Sequence, residues 1–253
     1  MRLTLLIWTS LLIACQNTSK VSEEEISSVK YESIGSIEVF DEQLHNLIDS
    51  SAKIEILAEG FTWSEGPVWV AEIESLLFSD VPENKVWRWS EKDSLQLYLD
   101  PSGMTGALRE NDREPGSNGL ILDNNGELVL CQHGNRSVSK LTAPLENPNS
   151  SFKSLADNFD GNRFNSPNDL VFDKKGNCYF TDPPYGLPLG MEDPSKEINF
   201  QGVYRISTDD SVDLLYRELT RPNGIELSND EKTLYVANSD PKHAVWTAFD
   251  LQE

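Results

Sequence analysis

The 253-residue sequence predicts an all-β chain made of β-propeller blades, about four of them within residues 51–253. Three observations carry the prediction. The first is a hairpin signal. Leu170-Val-Phe172 and Cys178-Tyr-Phe180 are apolar runs flanking the turn Asp173-Lys-Lys-Gly176, and antiparallel pairing brings the opening residue Asn168 and the closing residue Asp182 to one rim. The second is recurrence. Ser117-Asn118-Gly119 leads through Asp123-Asn-Asn-Gly126 to Leu128-Val-Leu-Cys131, and Pro222-Asn223-Gly224 leads through Ser228-Asn-Asp-Glu231 to Leu234-Tyr-Val-Ala237. A looser first copy, Ser64-Glu65-Gly66-Pro67-Val-Trp69 followed by Leu76-Leu-Phe-Ser-Asp80, puts Glu65 where the others have Asn. Strand-built repeats of roughly fifty residues are the mark of propeller blades. The third is a set of weaker runs that supply outer strands: Lys85–Trp89 with Gln96–Leu99, and Gly202–Ile206 with Val212–Tyr216.

In chain order, Met1 to Ala14 carries one basic residue, Arg2, before a short apolar run that ends at Cys15. The run is too short to span a bilayer comfortably and reads as a secretory signal. Leu12-Ile-Ala-Cys15 is similar to the lipobox of bacterial lipoproteins, in which the Cys receives the lipid and becomes the mature N-terminus. The expectation is an exported lipoprotein of a bacterial cell envelope, held to the membrane only by its lipid. Gln16 fits an outer-membrane destination facing the periplasm, and a soluble periplasmic protein is the alternative. Residues 16–50 read as an acidic, Ser-rich tether, and Glu23-Glu-Glu25 as part of that linker. Ala52–Leu57 alternates as a strand does and is expected to complete the last blade.

The net charge of −21, from 42 acidic against 21 basic residues, argues against a nucleic-acid partner, because phosphate binding needs a basic face. It is compatible with cation binding. Cys131 and Cys178 both fall in second strands of their hairpins and read as buried thiols, with a disulfide as the lesser alternative. The three His residues, at 45, 133 and 243, have no metal-type spacing. No Gly-x-Ser-x-Gly elbow and no P-loop is present in the sequence. Asp123-Asn-Asn-Gly126 resembles the start of a calcium loop, but its place in the repeat makes it a turn. What remains is the rim. In a propeller the inner strands surround a channel, so Glu65, Asn118, Asn168 and Asn223 converge there. One carboxylate with neutral amide oxygens makes a hard-cation site suited to Ca²⁺ or Mg²⁺. The competing reading is that each Asn only caps its strand and satisfies local backbone groups.

Glu65-Gly-Pro-Val-Trp69, Cys131-Gln-His-Gly-Asn-Arg136, Asn165-Ser-Pro-Asn-Asp169, Tyr179-Phe-Thr-Asp-Pro-Pro-Tyr-Gly186 and Arg221-Pro-Asn-Gly224 occur in this order. From about Glu59 onward the chain resembles the gluconolactonase branch of the senescence-marker-protein, gluconolactonase and luciferin-regenerating-enzyme family. The resemblance implies a six-bladed propeller and one divalent cation, calcium first with Mg²⁺ or Zn²⁺ as alternatives. It is held by a Glu, two Asn and an Asp. Glu65, Asn168 and Asn223 match the first three ligands. Nothing after Asp250-Leu-Gln-Glu253 supplies the fourth, an Asp in a Pro-Asp-Gly motif that also serves as general base. The expectation is therefore of a chain cut off before roughly its last third, which neither closes a ring nor hydrolyses lactone alone.

For an intact relative the implied reaction is hydrolysis of a sugar-type lactone, a small molecule whose carbonyl the cation polarises. Asn118, His133 and Asp182 are the candidate substrate contacts. Ser166 stands where some animal relatives carry a substrate-binding Arg. Two alternatives stand beside this reading. One is a non-catalytic, envelope-tethered propeller that binds a sugar or protein partner. The other is a phosphotriester hydrolase with the same metal architecture.

Overall fold

The computed structural model describes residues 31–108 and 111–251. The signal segment, the lipobox with Cys15 and the first part of the tether lie outside the described residues. The chain divides into two compact units, one ending at Leu57 and one beginning at Ala58. In the first, β1 (Ser33–Ile34) pairs antiparallel with β2 (Ile54–Glu55). A 3₁₀ turn, Glu42–Asn46, is N-capped by Asp41, whose Oδ1 accepts the Gln43 N–H at 2.8 Å. Of the strand expected over 52–57, Ile54–Glu55 is the part that forms, paired with β1.

The second unit is all β. Its first sheet is β3 (Ser64–Val70), β4 (Ser75–Asp80), β5 (Lys85–Ser90) and β6 (Ser94–Leu99). Its second is β7 (Ser117–Leu122), β8 (Leu128–Gln132), β9 (Ser137–Leu141) and β10 (Phe152–Ala156). A small hairpin follows, β11 (Asn158–Phe159) with β12 (Asn162–Arg163). The third sheet is β13 (Leu170–Phe172), β14 (Cys178–Asp182), β15 (Gly202–Ile206) and β16 (Val212–Tyr216). The last sheet has three strands, β17 (Pro222–Leu227), β18 (Thr233–Asn238) and β19 (Val245–Asp250). Within each sheet consecutive strands pair antiparallel in sequence order, which is how a propeller blade is wound. The arrangement is four-bladed and propeller-like. Strands β9 to β12 carry short, mixed sequences and were not singled out by their apolar pattern.

The turns explain why the hairpins recur. In both Asp123–Gly126 and Asp173–Gly176, the Gly N–H donates to the Asp carbonyl and the Asp Oδ1 accepts the N–H of the residue after the Gly. Gly126 and Gly176 sit at φ +80° and +96°, the left-handed conformation such a hairpin loop requires of its last residue. The calcium-loop look of Asp123-Asn-Asn-Gly126 is accounted for by that turn.

The second and third blades are apolar on both faces because each packs between two neighbours. Leu128 and Leu130 of β8 join Val70, Leu77 and Val86 of the first blade. Alternating with them, Val129 and Cys131 point the other way, toward Phe164, Phe180 and Tyr204. Val171 and Tyr179 of the third blade meet Ile225, Leu234 and Val236 of the fourth. Phe164, Phe180 and Tyr204 form a closed aromatic triangle with ring centroids 5.1–5.2 Å apart. Cys131 and Cys178 are buried free thiols in this layer, and burial pushes both well above the ordinary thiol range. Among the described residues no helix is long and apolar enough to cross a membrane.

Candidate functional site

The inner strands β3, β7, β13 and β17 pack in that order, and the ladder of each is irregular at its polar opening. Register shifts fall between Glu65 and Val68, between Ser117 and Leu120, and between Pro222 and Ile225. In the third blade β13 begins only at Leu170, with Asn168 N–H donating to Thr181 O and Thr181 N–H to Asp169 O. Such bulges bend a strand and re-aim its side chains. Here all four coincide with the residues of interest.

At the three Asn it is the main-chain carbonyl that ties one blade to the next. Asn118 O accepts from the Ser79 hydroxyl at 2.9 Å, Asn168 O from Gly119 N–H at 2.8 Å, and Asn223 O from the Thr181 hydroxyl at 2.7 Å. Asp169 completes the seam: its Oδ2 accepts Ile225 N–H at 3.1 Å and its Oδ1 accepts Leu170 N–H at 2.9 Å. Burial raises the Asp169 carboxyl to about 6, and the nearby charges of Glu226 and Glu65 push the same way. The approach is so close that a Cβ on Gly66 would lie 2.2 Å from Asn118 O, and one on Gly119 would lie 2.8 Å from Asn168 O.

This leaves the side chains unspent. Among the described residues Asn118 and Asn223 make no side-chain hydrogen bond, and Asn168 engages only its Nδ2, 3.3 Å from His133 Nε2. Glu65 accepts from the Trp63 indole N–H at 2.9 Å through Oε1. The capping alternative required each amide to satisfy local backbone, and none does. Carboxylate and amide oxygens at one rim are hard donors, so Glu65, Asn168 and Asn223 fit a Ca²⁺- or Mg²⁺-type ion. No group of three or more His, Cys, Asp or Glu side chains that could hold a metal occurs among the described residues, so the candidate rests on amides.

A second repeat aims this rim. Asp80, which closes β4, accepts Thr62 N–H at 3.2 Å and Trp63 N–H at 3.1 Å. Asp182, which closes β14, accepts Asn165 N–H at 2.8 Å and Ser166 N–H at 2.7 Å. Asn238, which closes β18, accepts Arg221 N–H at 2.7 Å. In each case the latched backbone lies two or three residues before Glu65, Asn168 or Asn223. Asp182 is therefore not a substrate contact. It is fully buried with both oxygens occupied, and burial pushes its carboxyl up to about 7 against the opposing backbone hydrogen bonds. Pattern alone placed Asp182 at the rim but not the direction its side chain takes.

His133 is likewise enclosed, so its expected contact with substrate gives way to contacts with Asn168 and with Glu114, whose Oε2 lies 3.5 Å from Nδ1. Ser166 is buried too, donating to Pro183 O and accepting Gly186 N–H. A cavity of about 700 Å³ lies beside the rim, lined among others by Trp63, Arg113, Glu114, Tyr185, Met191 and Arg221. It reaches the rim through Trp63 to Glu65, through Glu114 and His133 to Asn168, and through Arg221, two positions before Asn223. Sequence reasoning passed over Trp63 and Glu114 as wall residues. Their only signal is that each stands within four positions of a rim residue.

These features define a class: a propeller-type all-β protein whose polar groups gather where the inner strands open. Residues 63–253 match the SMP-30/Gluconolactonase/LRE-like region, and the chain belongs to that family. It is 44% identical over 208 residues to a gluconolactonase of Zymomonas mobilis subsp. mobilis, an alignment that covers 82% of this chain and 57% of that one. Among solved structures, a gluconolactonase from Xanthomonas campestris is 31% identical with a TM-score of 0.65, covering 79% of this chain and 62% of that one. A calcium-binding regucalcin from Agrobacterium tumefaciens shares the fold at 14% identity and a TM-score of 0.51, covering 77% and 57%. The chain thus spans about three fifths of the length of each of these three relatives.

Proposed function

We propose that this chain carries the greater part of the cation and substrate site of a lactone-hydrolysing propeller acting on sugar-type lactones. The observation that supports the reading best is the set of rim amides whose carbonyl main chain is committed to the blade seams while their side chains are left for a ligand. Glu65, Asn168 and Asn223 would hold the cation, calcium before Mg²⁺ or Zn²⁺, with Asn118 beside them as a substrate contact. Bound there, a divalent cation supplies Lewis-acid polarisation of the lactone carbonyl. The Trp63 and Tyr185 rings offer apolar faces for a sugar ring, and Arg113 and Arg221 offer donors to its hydroxyls. Among the described residues no carboxylate is placed as a free base at the rim: Asp169 is spent on backbone N–H groups and Glu114 faces His133.

That last observation favours a second reading, a propeller that binds a sugar or a protein partner at the same rim without turnover. A phosphotriester hydrolase of the same metal architecture is the third. The test is calcium titration of the chain by calorimetry, with turnover of an aldonolactone and of an organophosphate followed before and after chelation. Calcium binding that Glu65→Gln abolishes, with a lactone bound only while calcium is present, supports the main reading, and turnover is expected only once the chain is joined to a segment that supplies the missing Asp. Sugar binding indifferent to calcium moves the weight to the second, and organophosphate cleavage to the third. No calcium binding, with turnover and melting temperature unchanged by chelation, sinks the metal site.

A further inference from the structure

The carboxamide of Asn168 is nearly symmetric in shape, so packing does not decide whether its oxygen or its nitrogen faces the rim. A hydrogen-bond partner must decide it, and the structure has one. His133 Nε2 lies 3.3 Å from Asn168 Nδ2 in a fully buried contact. The imidazole cannot swing away. Its main chain is pinned on both sides, His133 N–H to Gly116 O at 3.1 Å and Arg136 N–H to His133 O at 3.1 Å. Its ring base abuts Gly186, where a Cβ would lie 2.5 Å from His133 Cβ and 2.8 Å from Cγ.

We infer that Glu114 and His133 act as a positioning pair that turns the Asn168 carboxamide oxygen toward the rim. The inference rests on the proposed cation site for its purpose, but not for its geometry. For Nε2 to accept the amide N–H it must carry the lone pair, which puts the ring proton on Nδ1. Nδ1 finds no hydrogen bond of good geometry among the described residues, and the acceptor it faces is Glu114 Oε2 at 3.5 Å. A carboxylate behind a ligand-orienting imidazole fixes tautomer and ring orientation in the way outer-shell carboxylates do at metal sites. Here the imidazole orients an amide ligand instead of being one. Glu114 lies on the cavity wall, so occupancy of the cavity and orientation of Asn168 are linked through one buried ring.

The pair is tested on the full chain labelled with ¹⁵N-histidine, whose three His give few enough signals to assign by substitution. Long-range ¹H–¹⁵N spectra of the cation-free protein should show His133 with Nδ1 protonated and Nε2 bare, and Glu114→Ala should erode that preference. An Nε2-protonated ring in the wild type, or a tautomer indifferent to Glu114→Ala, overturns the inference. Calcium titration adds the functional arm. His133→Leu should weaken binding by about tenfold or more. His133→Gln, whose side-chain oxygen reaches the place of Nε2, should restore most of it. A folded Leu variant that binds calcium as the wild type does overturns the inference, and if that variant does not fold, the Glu114→Ala spectra decide. Failure of the wild type to bind calcium removes the proposed function, while the tautomer still answers whether the amide is set.

Discussion

Asp80, Asp182 and Asn238 close the second strand of three hairpins and hold the backbone that leads to Glu65, Asn168 and Asn223. At residue scale the sequence brought Asp182 to the rim beside Asn168 and ended one run at Asp80, but it singled out neither the role of these positions nor Asn238. Rim and latch both carry small polar side chains at strand ends, and only the path of the preceding loop shows which faces inward. Asp182 also carries a measurable consequence. Its carboxyl is raised from the usual 3.8 to about 7 because burial penalises the charge more than two backbone N–H groups favour it, with Arg136 and Lys196 also near. The folded state therefore holds the proton more tightly than the unfolded chain. The contribution of Asp182 to stability is fully present below about pH 4 and is lost as pH rises through about 7, by an amount on the order of a few kcal/mol. Denaturant unfolding of the wild type and of Asp182→Asn between pH 4 and 8 should show the wild type losing ground as pH rises. A difference independent of pH would mean that the charge is not desolvated as the geometry implies.

At the scale of elements, the seam between inner strands depends on close backbone approach. Gly66 combines φ +55° with a Cβ position 2.2 Å from Asn118 O. Gly66→Ala therefore meets both a left-handed backbone and a main-chain atom that cannot yield. It should cost about 1–3 kcal/mol or more and weaken cation binding through the displaced Glu65. A variant as stable as the wild type by thermal unfolding would show that the first two blades do not meet so closely. Phe180→Ala opens the aromatic triangle between the second and third blades and should cost about 3–5 kcal/mol with less effect on the rim. The strands most legible in the sequence were those with uninterrupted apolar runs between turn residues, β4, β8, β14 and β18. Strands β9 and β10 escaped because Ser137-Val-Ser-Lys-Leu141 and Phe152-Lys-Ser-Leu-Ala156 mix small polar with apolar residues. Their pairing is set by the neighbouring strand rather than by their own pattern.

At the scale of the whole molecule, Glu65 belongs to the first blade while Asn168 and Asn223 belong to the third and fourth. An ion gripped by all three would staple blades that are otherwise joined only through their neighbours. A ligand that binds only the folded state adds about 2.7 kcal/mol at a hundredfold excess over its Kd, so calcium should raise the melting temperature. The net charge of −21 complicates that measurement, because any salt relieves self-repulsion and stabilises a strongly acidic chain. The two effects separate by dose and by residue. Screening requires bulk ionic strength, follows sodium as well as calcium, and acts alike on the wild type and on Glu65→Gln or Asn223→Ala. Site binding saturates with calcium at constant ionic strength, is reversed by chelation and is lost in both variants. Melting curves at fixed ionic strength should therefore show a saturating calcium-dependent rise in the wild type and none in the variants. An equal rise in all three would assign the whole effect to screening and leave the rim amides without an ion to hold.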